Sequence, residues 1–400
     1  METIIHFNDL KKQRKPVYTE YLCKENKVFL INYVKFKTSE FRDFNIEDIL
    51  ECGQCFRFRK IEDKHYQIVA YKRVLNIIQH DSMIEFYPCS REEFEDIWIE
   101  YFDLNTNYKD IKEKLKEDKI LKEAIEFAEG IRILNQEPFE CLISFIISQN
   151  NRIEMIKKVI GNICERYGDK VLSDINEDED EYQDEDIEVN NYLFPDLDKL
   201  KDLKQEDFRE CKTGFRDKYI VDAINKIKDG DLILDELIEL PEEEARKELL
   251  KVKGVGNKVA DCTLLFSLKK RSVFPTDVWV KRVMEHYYFE GKETSIKKIE
   301  KFARDKWGDL AGYAQQYLFY YARSQKIGVK EKGNKKSDKA KDKDKNKNKH
   351  EEIVVIKQEE KIIKKSRKRL RKRLRKKARK RAVKRNVKNI VNQRKQKKSL

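Results

Sequence analysis

Gly254-Val255-Gly256-Asn257-Lys258-Val259-Ala260-Asp261-Cys262, followed by Phe274-Pro275-Thr276-Asp277-Val278, is the stretch on which the reading of this chain turns. A tight Gly-Val-Gly turn opens a helix, so its backbone N–H groups can converge on one anion, such as a DNA phosphate. Lys258 sits in the first helical turn, where the helix dipole disfavours an ammonium and so favours a neutral, nucleophilic amine. Asp277 follows nineteen residues later, behind a proline. A helix over 257–268 climbs about 18 Å, and residues 269–276 span up to about 26 Å, enough to bring Asp277 back beside Lys258. In isolation, a lysine after such a hairpin reads first as a phosphate contact. Asp277 also reads as the N-cap of the next helix, which is compatible with a chemical role.

Outward from this stretch, residues 28–90 carry short apolar runs between charged turns, among them Lys27–Val34, Gln67–Ala70 and Val74–Ile78, the pattern of an antiparallel sheet. From about residue 92 the period becomes helical: Phe94, Ile97, Trp98, Tyr101 and Phe102, then Ile111, Leu115, Ile120 and Leu121. Pro138 opens a strongly apolar helix, and its missing N–H costs nothing in a first turn. Further helices are predicted over 152–167, 205–212, 216–228, 242–252, 257–268, 277–288, 294–306 and 308–327. The predicted fold class is α+β: an N-terminal antiparallel sheet domain (1–100), then two helical subdomains (101–328) containing a helix-hairpin-helix at 242–268 and an acidic loop insert at 174–190. Residues 329–400 form a basic low-complexity tail.

The net charge of +14 conceals a division. Residues 329–400 hold 33 basic and 8 acidic side chains, a net of +25, which leaves residues 1–328 at −11. Ten of the acids fall within 174–188, a segment without a base. The charge asymmetry is thus confined to two low-complexity stretches. The tail reads as a solvated basic arm or as an amphipathic helix that forms on DNA or another polyanion. Eight cysteines are scattered along the chain, the usage of a reducing compartment. Cys52 and Cys55 form a C-x-x-C with no second pair or nearby histidines, so packing is expected there rather than zinc or redox chemistry. No apolar run approaches membrane-spanning length and no secretory leader is visible, so a soluble protein is expected.

The hairpin, the lysine and the downstream Pro-x-Asp loop resemble the helix-hairpin-helix DNA glycosylases. Gly53-Gln54-Cys55-Phe56-Arg57, Ser148-Gln149-Asn150-Asn151 and Gly312-Tyr313-Ala314-Gln315 with Phe319 narrow the resemblance to the 8-oxoguanine DNA glycosylase/AP lyase branch, in order over roughly residues 28–328. The resemblance implies that Lys258 attacks the sugar C1′ of a damaged nucleotide. It implies that Asp277 stabilises the positive charge growing on the sugar and helps move protons. It also implies a base pocket in which the Gly53 carbonyl accepts N7–H of 8-oxoguanine, Gln315 reads the Watson–Crick edge, and Phe319 and Cys262 sandwich the purine. As ordinary residues, Phe319 and Cys262 would read as core. DNA contacts are implied at Asn150, which fills the void left by the extruded base, at Arg216, and at Gly254, Val255 and Gly256 of the hairpin.

This sequence departs from the familiar eukaryotic pattern at three DNA-binding positions. Met155 stands where arginine is usual, Phe215 where tyrosine is usual, and Trp279 where a phosphate-binding histidine is common. Methionine cannot donate to a partner cytosine, so a shallow opposite-base preference is expected. No cofactor or catalytic metal is implied. A structural cation held by backbone carbonyls of the hairpin is compatible with the sequence, and the four-cysteine iron–sulfur loop of the endonuclease III branch is missing, since no cysteine follows Cys262. The expected partner is double-stranded DNA containing oxidised guanine, with no membrane and a monomeric chain. The expected place is the cytoplasmic nucleoid of a prokaryote or the nucleus of a eukaryote. A helix-hairpin-helix glycosylase for another damaged base, or a non-catalytic DNA-binding module, are the alternatives; a bifunctional enzyme is the leading expectation.

Overall fold

Period-two patterning between residues 18 and 87 resolves into six strands in the computed structural model: β1 (Tyr18–Lys24), β2 (Lys27–Lys37), β3 (Phe58–Glu62), β4 (His65–Ala70), β5 (Arg73–Gln79) and β6 (Met83–Tyr87). The structure describes residues 18–24, 27–41, 43–171 and 192–328, with side chains from residue 32 onward. The acidic segment 174–190 and the basic tail 329–400 lie outside the described residues. The sheet runs in the order β1-β2-β6-β5-β4-β3, with every neighbouring pair antiparallel. Tyr71 and Lys72, both at positive φ (50° and 56°), close the β4–β5 hairpin with Ala70 opposite Arg73. A two-residue turn of that hand matches the twist of the strands. β3 and β1 were not among the expected strands. β3 is a charged edge strand whose side chains are exposed beyond Arg59, so it shows no apolar alternation to read.

Between β2 and β3 the chain forms α1 (Ile46–Glu51), which Asn45 caps by accepting from the Glu47 and Asp48 N–H groups. Phe36, Phe41, Phe44, Phe86, Phe94 and Phe102 form a ring cluster beneath the sheet, with Phe36 and Phe94 centroids 4.7 Å apart. This first core takes its residues from Val34 to Leu104, with Leu134 added from further along.

The second core is helical. Its elements are α2 (Tyr108–Leu115), α3 (Lys119–Phe127), α4 (Pro138–Ser148), α5 (Ile153–Tyr167), α6 (Gln205–Glu210), α7 (Asp217–Lys228), α8 (Glu242–Leu250), α9 (Asn257–Phe266), α10 (Val278–Tyr288), α11 (Ile296–Trp307) and α12 (Ala311–Gln325). The apolar positions 111, 115, 120 and 121 divide between two helices because Asp118 caps a fresh start at α3, accepting from Ile120 and Leu121 N–H. α4 is the central rod: every residue from Cys141 to Ile147 is buried. Among the described residues, no helix is long and apolar enough to cross a membrane, and the cysteines from Cys52 onward are free thiols, all buried.

Gln54 joins the two cores. It is fully buried; its Nε2 donates to the carbonyls of Ile49 and Arg132, each at 2.8 Å, and its Oε1 accepts from Leu134 N at 2.9 Å. Its own carbonyl accepts from Gln136 Nε2 at 2.8 Å, and Gln136 N donates to Phe266 O at the end of α9. The amide therefore fixes the 51–55 turn relative to the helix that begins beside Lys258. Gln54→Leu is expected to leave Arg132 O and Leu134 N without the amide, with Ile49 O reduced to the Cys52 thiol as donor, and to cost about 2–4 kcal/mol. Urea unfolding measures this, and a change below about 0.5 kcal/mol would show that water replaces the amide.

Candidate active site

α8 and α9 are joined by a turn of six residues that holds the hairpin. Beneath it, Arg246 pairs with Glu242 (3.0 Å), Glu243 (2.6 Å) and, across to the other helix, Asp261 (2.7 Å). Gly254 has φ +78°, and a Cβ there would stand 2.4 Å from the Tyr219 ring, so both conformation and space require glycine. Lys253 N donates to Asp222 Oδ2 at 2.7 Å. The N–H groups of Gly254, Gly256, Asn257 and Lys258 have no hydrogen-bond partner among the described residues. They form a cradle at the start of α9 suited to an anion. Val255 is buried and pins the turn to the core.

Lys258 leaves this cradle and lies across the C-terminal end of α4. Its Nζ is 3.3 Å from Ser148 Oγ and 4.9 Å from the centroid of Phe145. Ser148 Oγ donates to Phe145 O at 2.8 Å, so it meets the amine with a lone pair. Phe145 is in turn stacked on Phe266, 5.5 Å centroid to centroid at 18°. Lys258 forms no ion pair among the described residues, although ion pairs crowd the rest of the surface. Cys262 stands one helical turn on, buried, its thiol pushed up to about 11 by burial, with the Lys258 charge pulling the other way.

Asp277 caps α10: its Oδ1 accepts from Trp279 N (2.9 Å) and Val280 N (2.8 Å). Burial raises its pKa above the ordinary 3.8, against the opposing pull of those N–H groups, of the Lys258 ammonium and of Arg323. The chain thus returns Asp277 within electrostatic reach of Lys258. Oδ2 carries no hydrogen bond among the described residues, so one oxygen holds the helix while the other is free for chemistry.

Gly53 has φ +84° and packs against α12: a Cβ there would stand 2.9 Å from a Phe319 ring carbon. Gln315 is buried one turn before Phe319, with its Oε1 unpaired. Asn150 is exposed at φ +49°, at the tip of the turn between α4 and α5. Arg216 is buried, and its guanidinium holds that turn from below, donating to Gln149 O and, at 3.1 Å, to Asn150 O. Met155 and Phe215 are exposed on either side, at 42% and 51%. Trp279 is half-buried with Arg282 stacked 5.1 Å from its ring. Sequence reasoning assigned no role to Phe145 or Ser148. Ser148 stood within a quoted motif, but nothing in its spacing revealed that it meets Lys258 across 110 positions.

The described geometry matches known proteins. Residues 34–142 match the model of the 8-oxoguanine DNA glycosylase N-terminal domain, and residues 143–309 that of the HhH-GPD superfamily of base excision DNA repair proteins. A probable N-glycosylase/DNA lyase of Methanothermobacter thermautotrophicus is 34% identical over 244 residues, covering 56% of this chain and 74% of that protein. This chain belongs to the 8-oxoguanine DNA glycosylase/lyase branch of the HhH-GPD superfamily. A crystal structure of the Clostridium acetobutylicum 8-oxoguanine glycosylase/lyase, bound to double-stranded DNA with cytosine opposite 8-oxoguanine, is 42% identical; it covers 78% of this chain and 99% of that chain, with a TM-score of 0.66. The N-glycosylase/DNA lyase of Saccharomyces cerevisiae is 27% identical over 335 residues, covering 71% of this chain and 83% of that protein. The sequence leads to the expectation that the hairpin cradle holds a DNA phosphate, which makes Gly254 a direct test. Gly254→Ala is expected to cost roughly 1–2 kcal/mol from the left-handed conformation alone, with weaker binding to undamaged duplex. If both unfolding and binding are unchanged, the turn relaxes and the cradle does not depend on glycine.

Proposed function

We propose that this protein is a bifunctional DNA glycosylase that excises 8-oxoguanine from duplex DNA and then nicks the strand at the abasic site. The observation that carries this reading is Lys258: an amine with no carboxylate partner among the described residues, seated on the Phe145 ring at a helix N-terminus, within electrostatic reach of the Asp277 carboxylate. The amine forms a bond to C1′ as the glycosidic bond breaks and the base departs with a proton. Ring opening then gives a Schiff base. Loss of a 2′ proton expels the 3′ phosphate and completes β-elimination. Asp277 stabilises the positive charge on the sugar in the first step and serves proton transfer in the second.

The Gly53 carbonyl accepts N7–H, the group that distinguishes 8-oxoguanine from guanine, while Gln315 meets the Watson–Crick edge and Phe319 and Cys262 flank the ring. Asn150 fills the vacated stack, Phe215 and Met155 flank it, and Gly254, Val255 and Gly256 hold a phosphate. The carbonyls of Lys253, Gly254 and Val255 accept no hydrogen bond among the described residues, which fits a structural cation bridging turn and phosphate; the chemistry takes no step through it. One chain carries every named group, so a monomer suffices.

Lys258→Gln is expected to abolish excision and covalent trapping on 8-oxoguanine DNA with sodium borohydride, while lesion-DNA binding persists. Full excision by this variant would remove the assignment. The alternatives are exposed by the same assay: a non-catalytic module traps nothing, and a water-using glycosylase for another base excises without trapping.

Asp277→Asn keeps an oxygen for the α10 cap, yet excision is expected to fall about 10²-fold or more. Since burial raises the Asp277 pKa above 3.8, the active carboxylate is lost as pH falls through that raised value, and the acid limb of the rate should disappear in the variant. An unaltered rate would leave Asp277 as a cap only.

Met155 offers no donor to the base opposite the lesion, and the Arg216 guanidinium is occupied by loop carbonyls. Single-turnover rates opposite C, T, G and A are therefore expected to differ little. Met155→Arg should favour C by a contact worth about 1.5–3 kcal/mol, and a steep preference in the natural chain would refute the argument.

A further inference from the structure

α12 presents Gln315, Phe319 and Arg323 at i, i+4 and i+8, a single line along one helical face. Two polar atoms on that line are buried and unpaired: Gln315 Oε1 and Arg323 Nη1. The rest of the arginine is committed. Its Nη2 donates to Glu51 O, and its guanidinium lies 5.3 Å from the Phe319 ring and 5.6 Å from that of Tyr320. Nη1 stands 2.8 Å from the point where a Cβ on Gly53 would be.

The turn it touches has a matching gap. The carbonyl of Glu51 accepts from Arg323, that of Cys52 from Gln316 at 3.0 Å, and that of Gln54 from Gln136 at 2.8 Å. The Gly53 carbonyl accepts no hydrogen bond among the described residues. A buried charged donor thus lies against the turn whose Gly53 carbonyl is left without a donor among the described residues, with the Phe319 ring packed beside both. A buried donor left unpaired is costly, and such groups in folded proteins are accounted for by a ligand, a water or a function.

We propose that Arg323 is a specificity-determining residue of the lesion pocket: Nη1 donates to an oxygen flanking N7 of the flipped purine, while the Gly53 carbonyl accepts N7–H. The inference rests on the reading of this site as an 8-oxoguanine pocket. Arginine by itself would favour ordinary guanine, whose N7 and O6 are both acceptors. The adjacent carbonyl reverses that preference, because its lone pairs face the N7 lone pair of guanine but a proton in the oxidised base. Only a purine with a donor at N7 and an acceptor beside it satisfies both groups. In 8-oxoguanine that acceptor is O6 or O8, and the base reaches the pair by lifting the Phe319 ring.

Arg323→Met keeps an apolar stem over Phe319 and removes the donor. Single-turnover excision of 8-oxoguanine is expected to fall roughly 10- to 100-fold, the scale of a charge-assisted hydrogen bond. Strand cleavage at a preformed abasic site, which uses Lys258 but offers no base to read, is expected to fall several-fold less than excision, since only the pull of Arg323 on Asp277 changes there. Equal losses on both substrates would make Arg323 a structural residue, and no loss on either would show that Nη1 meets nothing in the complex; both outcomes overturn the proposal. A natural chain that cleaves abasic DNA but leaves 8-oxoguanine in place would instead overturn the function it rests on. Binding of the Lys258→Gln chain to duplexes carrying 8-oxoadenine, with and without Arg323→Met, assigns the oxygen. That base keeps O8 and N7–H but carries an amino group at C6, so a weakening caused by Arg323→Met places the contact at O8 and equal affinities place it at O6.

Discussion

The burial of α4 is the constraint on which the active site depends. Seven consecutive residues, Cys141–Ile147, are inaccessible to solvent, so neither the axis nor the rotation of this helix can shift without opening the core. Its last turn then supplies three things from one fixed frame. Phe145 is the floor beneath Lys258, Ser148 meets the amine, and the turn that follows projects Asn150. Phe145 is itself held flat by Phe266 at the far end of the helix that Lys258 begins. Lys258, proposed as the nucleophile, and Asn150, proposed to fill the vacated base position, are therefore referenced to the same rod.

Charge is distributed to suit this arrangement. Arg246 gathers Glu242, Glu243 and Asp261 beneath the hairpin, and Asp118 caps α3 while accepting from Tyr288 (2.9 Å) and pairing with Lys306 (3.1 Å), which ties the far end of α10 to its neighbours. These clusters neutralise their own members. Lys258 and Asp277 form no direct ion pair among the described residues, which suits the roles proposed for both groups. A tight salt bridge would have held the amine protonated and occupied the carboxylate.

Much of this was legible in the sequence because the helical positions repeat strongly and are punctuated by caps. The expected helix over 216–228 appears as Asp217–Lys228, and that over 242–252 as Glu242–Leu250. Lys258 and Asp277 could be singled out because glycine and proline fix the backbone around them. The unread parts share a different property. β3 is an edge strand with charged outward positions, α1 is only six residues long, and neither leaves a periodic trace. Phe145, Ser148 and Arg323 meet the site through contacts across 110 to 272 positions, which no local spacing encodes. Arg216, expected to contact DNA, also donates to the backbone of the Asn150 turn, a partner that its residue type alone does not reveal.

That occupancy bears on the kinetics of search. Asn150 stands at positive φ, an uncommon conformation for a side chain other than glycine, and Arg216 holds its carbonyl there before any DNA arrives. A probe that had to order itself at every encounter would add a conformational step to each base pair sampled. A probe already in place reduces that step to the unstacking of the DNA. Damaged or poorly paired steps open more readily than intact ones, so a rigid probe makes the time spent at each site report on the duplex rather than on the protein. With Asn150 in its proposed role as the probe, the arginine under the turn would act before chemistry begins, by letting DNA softness set the pace of scanning.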